Sequence, residues 1–266
     1  MNTVDGTLSV PKDRMADIER LLKQWNGKLR SNKVELQSLI GVLQFVTKCV
    51  RQSRIFLNRM LEMLRSFGPD DSSKKLSEAF KKDVKWWRCF MKDFNGVSFI
   101  PPEIWSEPDV SFSTDSSLKG CGGICGFEFF HALYPDDLLS RGMPIHQLEM
   151  LAVLIAVRFW GHKCSGGRVQ IYCDNESVVK VINSSRTRDP FLSACLRDLW
   201  LEVSKFKFEM RAVHLPGVEN RVADWLSRWD DQPDYQDSFY NFIGAEADMY
   251  KELVVSREMF QLSNDL

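Results

Sequence analysis

Apolar residues recur at helical spacing through the first hundred residues and at strand spacing soon after, and this change of period divides the chain. Val10-Pro11 opens a first helix, since proline suits the first helical turn, and Met15, Ile18, Leu21, Leu22 and Trp25 form its stripe before Asn26-Gly27 stops it. Asn32 stands three residues before Glu35, the pattern of a capping box. Leu36, Leu39, Ile40, Leu43, Val46 and Val50 make the next stripe, and residues 55–64 extend it into another helix. Phe67-Gly68-Pro69 breaks the chain, and Ser73 is expected to cap a last helix carrying Leu76, Phe80, Val84, Trp87, Met91 and Phe94. Asn95-Gly96 and Pro101-Pro102 close this helical domain, residues 1–100.

Beyond that boundary, strands are expected at 110–114, 122–127 and 129–134. A strong helix follows at 145–164, then a strand at 169–173 and a short helix at 176–183. Asp189-Pro190 starts another helix to about residue 205, a strand spans 208–214, and a final helix 220–229. This order predicts a mixed α/β sheet domain over 103–230. Residues 231–266 read as an acidic C-terminal tail with one amphipathic piece near 253–262.

The formal net charge of −1 by itself argues against a nucleic-acid partner, but it hides an asymmetry. Residues 1–100 hold 19 Lys and Arg against 11 Asp and Glu, a net of +8; residues 101–230 carry −3 and residues 231–266 carry −6. One part is suited to gripping a polyanion and another to using carboxylates; the alternative is uneven surface charge with no partner. With 44% hydrophobic and 27% charged residues, the composition excludes disorder. Seven scattered cysteines without a C-x-x-C pair point to reduced thiols and an intracellular setting, cytoplasmic or nuclear. No apolar run is long enough to cross a bilayer, and residues 1–14 lack the pattern of a signal peptide, so no membrane partner is expected.

Four acidic residues sit where packing does not want them. Asp115 and Asp174 end two expected strands and emerge at one sheet edge if those strands are neighbours. Glu149 lies between Leu148 and Met150 in the most apolar helix, and Asp224 lies early in the last helix. An isolated carboxylate among packed apolar groups is costly, and four converging ones more so, unless divalent cations bind between them. Mg²⁺ suits such a site, because it takes carboxylate oxygens and keeps several waters. Singly, each has a plain structural reading: Asp115 and Asp174 as caps, Glu149 as a surface residue, Asp224 paired with Arg221 or Arg228.

The segments Ser113-Thr114-Asp115-Ser116-Ser117 with Gly122-Gly123, Gln147-Leu148-Glu149 with Ala152 and Ala156, and Ile171-Tyr172-Cys173-Asp174-Asn175 resemble three successive parts of a ribonuclease H domain. The run from His214-Leu215-Pro216-Gly217 through Asn220-Arg221-Val222-Ala223-Asp224-Trp225 to Arg228 is similar to the closing motif in retrotransposon reverse transcriptases. Upstream, the run from Glu35-Leu36-Gln37-Ser38 to Gln44-Phe45, and Trp86-Trp87 before Asn95-Gly96, resemble the thumb or connection of retroelement polymerases. The style is most like that of the DIRS-like, tyrosine-recombinase group. The resemblance implies a ribonuclease H-like fold, a mixed five-stranded sheet with flanking helices, preceded by an all-helical thumb/connection domain.

It also implies chemistry: a two-metal endonuclease cutting the RNA strand of an RNA–DNA hybrid with two Mg²⁺ ions, for which Mn²⁺ can substitute. Asp115 would bridge both ions and Asp224 would complete the site of the ion activating the attacking water. Glu149 and Asp174 would hold the ion that stabilises the leaving 3′ oxygen. His214 has two readings: a catalytic histidine assisting proton relay or product release, and a strand-end histidine with no such role. Partners are then an RNA–DNA hybrid, met by the basic helical part, and the missing polymerase domains of a parent polyprotein. Tyr134-Pro135-Asp136-Asp137 spells the Y-x-D-D of a polymerase palm but falls inside the sheet domain and reads as a turn, so DNA synthesis is not expected. The runner-up is an inactive nucleic-acid-binding or interaction protein derived from a retroelement; a third reading is a nuclease of the same superfamily acting on DNA.

Overall fold

The structure, a computed structural model, describes residues 7–69, 72–94, 97–99, 107–231 and 233–262. It divides into two compact units, Met1–Trp105 with Ser263–Leu266, and Ser106–Leu262. The boundary signals Asn95-Gly96 and Pro101-Pro102 lie outside the described residues, as do residues 1–6 of the N-terminal stretch.

In the first unit, β1 (Thr7–Ser9), α1 (Lys12–Trp25), β2 (Arg30–Ser31), α2 (Lys33–Cys49), α3 (Asn58–Arg65), β3 (Lys74–Lys75), α4 (Glu78–Asp93) and β4 (Val97–Phe99) follow in order. It is therefore not wholly helical: β1 pairs antiparallel with β4, and β2 with β3. The expected capping box is present, with Asn32 Oδ1 accepting from the Glu35 N–H at 2.8 Å and Glu35 Oε2 accepting from the Asn32 N–H at 3.1 Å. Ser73 does not cap α4. Ser77 does, its Oγ accepting from the Phe80 N–H at 3.1 Å, because the β2–β3 ladder occupies residues 74–75 and delays the helix. Ser73 Oγ instead accepts from Arg30 Nε at 3.1 Å. Leu36, Leu39, Leu43, Phe56, Phe80 and Trp87 fill the core of this unit.

The second unit is built on β5 (Val110–Ser116), β6 (Gly120–Cys125), β7 (Glu128–Leu133), β8 (Arg168–Cys173), β9 (Glu209–His214) and β10 (Lys251–Glu252). Their order across the sheet is β10-β7-β6-β5-β8-β9. β5, β6 and β7 form an antiparallel meander, while β8 pairs parallel with β5, and β9 parallel with β8. The expected five-stranded mixed sheet is thus present, with β10 as a sixth strand parallel to β7. The helices are α5 (Asp136–Leu139), α6 (Ile145–Trp160), α7 (Glu176–Ser184), α8 (Pro190–Phe206), α9 (Arg221–Ser227) and α10 (Pro233–Ile243). Residues 148–157 of α6 are all buried, so it reads as a core helix with little polar face. Gly122 lets α9 lie directly on β6: a Cβ there would stand 2.4 Å from the Leu226 Cβ. No helix among the described residues is long and apolar enough to cross a membrane.

Residues 233–262 do not form a free tail. Phe239 and Ile243 of α10 bury against Phe129, Leu226 and Trp229, and β10 extends the sheet. Residues 253–262 form no helix beyond the short 3₁₀ turn Arg257–Phe260. The net charge of this segment conceals aromatic residues spaced to reach the sheet. Ending the chain at residue 230 is expected to cost about 5 kcal/mol, from losing the burial of Phe239, Ile243 and Phe260 and exposing the surfaces of Phe129, Leu226 and Trp229 that they cover. Thermal unfolding of the full and shortened chains checks this, with a drop of roughly 10 °C expected; equal melting temperatures would mean that the segment contributes nothing to stability.

Candidate active site

Because β5 and β8 are parallel neighbours, their C-terminal ends emerge together, with Asp115 near the end of β5 and Asp174 just beyond β8. Asp115 is 3% exposed, and its Oδ2 accepts from Ser227 Oγ of α9 at 2.5 Å. Burial pushes the Asp115 carboxyl up to about 6; the Ser227 bond opposes the rise, and Asp174 and Asp224 add to it. Glu149 projects from α6 and is 2% exposed. Burial foremost, then the charges of Asp115 and Asp174, push it up to about 10.

Glu149 Oε2 accepts a weak bond from Cys173 Sγ at 3.7 Å, and one ligand atom each of Glu149, Cys173 and Asp174 lie within 4.8 Å of one another. Burial raises the Cys173 thiol well above its ordinary range. Gly217, in the loop after β9, closes on Asp174: a Cβ there would lie 3.4 Å from Asp174 Oδ2. The Asp174 backbone carbonyl lies 3.0 Å from His214 Nε2. A carbonyl only accepts, so Nε2 is the donor in this contact and Nδ1 is not engaged by it.

Asp224 sits in α9, which is tied to β5 where the Asn220 side-chain amide donates to the Thr114 carbonyl at 2.9 Å. Its Oδ1 accepts from Arg228 Nε at 2.6 Å, the i,i+4 partner, and this bond raises the Arg228 guanidinium above its ordinary value. The structure therefore brings Asp115, Glu149 and Asp174 together and sets Asp224, ion-paired with Arg228, within electrostatic reach of Asp115. Three participants are not evident from the acidic pattern alone: Ser227, Cys173 and the Gly217 backbone. Ser227 follows Asp224 by three residues, so one helical turn carries both, which is the signal a sequence offers for it.

The donor set fits divalent cations. Two deeply buried carboxyls, Asp115 and Glu149, are held above their ordinary range by burial and by neighbouring carboxylates, Asp174 acting on both, which a bound cation would relieve, and carboxylate oxygens are the ligands that Mg²⁺ and Mn²⁺ prefer.

The Y-x-D-D string makes no second acidic centre. Asp136 and Asp137 are exposed in the first turn of α5, and Asp137 pairs with Arg141 at 3.6 Å and Arg257 at 3.3 Å. Replacing both by Asn is expected to leave the affinity for Mn²⁺ within about threefold of the parent, as for other exposed positions; a loss of tenfold or more in the same binding titration would make them part of the site. Among the other histidines, His131 stacks on Trp229 and lies 3.2 Å from Glu252, and His146 lies 3.6 Å from Asp189.

Residues 134–230 match the family described as reverse transcriptase-like, a span that carries Glu149, Asp174, His214 and Asp224. No curated protein matches the chain. Among solved structures, the chain is similar to RNase H1 from the halophilic archaeon Halobacterium salinarum NRC-1, with 17% identity and a TM-score of 0.39, over 46% of this chain and 98% of that one. It is also similar to the foamy viral protease-reverse transcriptase in complex with an RNA/DNA hybrid, with 8% identity and a TM-score of 0.29. That match covers 79% of this chain and 28% of the viral one. The sheet order and strand directions give the second unit a ribonuclease H-like fold, and the reverse transcriptase-like match falls within that unit.

Proposed function

We propose that this chain is a divalent-metal-dependent endonuclease that hydrolyses the RNA strand of RNA–DNA hybrids, as part of a retroelement reverse transcriptase. The observation that carries the reading is the meeting of Asp115, Glu149 and Asp174 from β5, α6 and the end of β8, with Asp224 of α9 within electrostatic reach of Asp115. Buried carboxyls so placed destabilise the metal-free fold, and a purely structural role does not account for them. Asp115, Glu149, Asp174 and Asp224 would hold two Mg²⁺ ions. The ions would supply polarisation of the phosphate and a nucleophilic water at neutral pH.

The protein's own groups do the rest. Ser227 fixes the rotamer of Asp115 through its 2.5 Å bond, and Arg228 restrains Asp224. His214, half-tethered through Nε2, leaves Nδ1 to take or return a proton at the open side of the site. The first hundred residues, with a net of +8, would contact phosphates along the duplex, and 2′-hydroxyl contacts would mark the RNA strand. On the upstream segments the parent element would be of the DIRS-like group, and the polymerase domains of its polyprotein would be further partners.

The test is the identity of the strand cut. With the RNA strand of a hybrid labelled at its 5′ end, Mg²⁺ is expected to produce RNA fragments with 3′-hydroxyl ends and to leave the DNA strand whole. Cleavage of the DNA strand would replace this reading with that of a DNA nuclease. Tight hybrid binding with neither strand cut would replace it with that of a binding protein.

A further inference from the structure

Tyr134 begins the Y-x-D-D string, but unlike the two exposed aspartates it is buried, at 2% exposure. Its hydroxyl lies between the two elements that carry the buried carboxylates. It donates to the Leu148 carbonyl of α6 at 3.1 Å and lies 2.7 Å from Ser116 Oγ of β5. Either hydroxyl can donate in the Tyr134–Ser116 contact, and Ser116 Oγ also reaches the Ser117 carbonyl at 3.1 Å. Ser116 is the residue after Asp115, and Leu148 is the residue before Glu149. The Cys121 thiol of β6 approaches the same hydroxyl. From the other side Phe260 meets the ring edge-on, with centroids 5.8 Å apart. The turn bearing Phe260 is anchored in its own right: Arg158 donates to the Met259 and Gln261 carbonyls at 2.7 and 2.9 Å and pairs with Asp198 at 2.7 Å.

To share a cation, Asp115 on β5 and Glu149 on α6 must be held at a fixed spacing, and a metal centre tolerates only about half an ångström of drift in its ligands. A single hydroxyl bonded to the sequence neighbours of both carboxylates resists that motion directly. We propose that Tyr134 is a positioning residue of the carboxylate centre: its hydroxyl, bridging Ser116 and the Leu148 carbonyl, fixes the spacing of Asp115 and Glu149 and hence their affinity for a divalent cation. The consequence for cleavage rests on the nuclease reading above; the consequence for cation binding does not.

The test uses the full chain and Tyr134→Phe, which keeps the ring against Phe260 and removes only the hydroxyl. Mn²⁺ binding, followed by its paramagnetic resonance signal, is expected to weaken by about tenfold, the size typical of a lost orienting partner. The kcat for hybrid cleavage is expected to fall by a similar factor, with KM for the hybrid changed by less than about twofold. Ser116→Ala combined with Tyr134→Phe should weaken Mn²⁺ binding no further than about twofold beyond Tyr134→Phe alone, since both remove one connection. Ile243→Ala, in α10, is the control: it should lower the melting temperature and leave Mn²⁺ affinity unchanged.

Unaltered Mn²⁺ affinity in Tyr134→Phe overturns the proposal, and so does an equal loss in Ile243→Ala. A parent protein that binds Mn²⁺ in a Tyr134-dependent way but cuts no hybrid sinks the nuclease reading alone. A parent that cuts hybrid with Mn²⁺ affinity indifferent to Tyr134 sinks the positioning role alone. A parent that binds no Mn²⁺ sinks both.

Discussion

Replacing Asp115 by Asn is expected to lower hybrid cleavage by about a thousandfold or more. The Asp115 carboxylate is coupled electrostatically to each of the other three, feeling Asp174 and Asp224 and acting on Glu149. Loss of metal-held charge at the reacting phosphate is worth several kcal/mol, and each ~1.4 kcal/mol is tenfold in rate. The amide keeps the shape of the side chain and an oxygen to accept from Ser227, so the fold should survive. The measurement is single-turnover cleavage alongside thermal unfolding in a metal chelator. An unfolded variant would leave the rate uninterpretable, so the melting temperature decides whether the rate counts. A folded variant with more than about a tenth of the parent rate would remove Asp115 from the centre.

Glu149→Gln is expected to stabilise the metal-free protein at pH 8 by roughly 1–3 kcal/mol while also abolishing cleavage. The sign follows from protons. The Glu149 carboxyl is raised in the folded protein to about 10 from an ordinary 4.5, so between those values the folded state holds a proton that the unfolded state has released. Stability from this group is therefore fully present below about pH 4.5 and declines as pH rises toward 10; Asp115, raised to about 6, adds a smaller decline over a lower range. Glutamine removes the Glu149 contribution. The gap between variant and parent should widen from pH 5 to pH 9 without metal and shrink or reverse when Mg²⁺ is added, because the parent alone gains from binding. Chemical unfolding at several pH values, with and without Mg²⁺, reads this directly. A gap that is constant with pH would mean that Glu149 does not hold its proton in the folded state.

The parts of the fold legible in the sequence are those where local pattern and tertiary demand agree. The alternation around Phe112 and Thr114, the continuous apolar run of α6 and the Asp189-Pro190 start of α8 each carry their own signal and appear as expected. The start of α4 does not, because the choice between Ser73 and Ser77 is settled by the β2–β3 ladder, a pairing of residues more than forty positions apart. The C-terminal segment misleads because net charge averages over residues that face opposite ways: Phe239, Ile243 and Phe260 are buried among acidic neighbours that stay in water.

Within the candidate site, the four carboxylates are legible because an acid at a strand end or inside an apolar helix is out of place. Their partners are not. Ser227 on Asp115 and Tyr134 between Ser116 and Leu148 are contacts across the fold, from residues that look ordinary where they stand. Arg228 is the intermediate case, since its i,i+4 spacing from Asp224 offers the pair in advance.

The claim that these carboxylates form a metal-dependent nuclease centre is tested most directly by the rate of hybrid cleavage by the unaltered full chain as Mg²⁺ is titrated from a chelated start. No cleavage is expected in excess chelator, then a rise steeper than first order in Mg²⁺ at low concentration as two ions are required, and recovery when Mn²⁺ is supplied instead. Cleavage that persists undiminished in chelator, or none at any concentration of either ion, would contradict it.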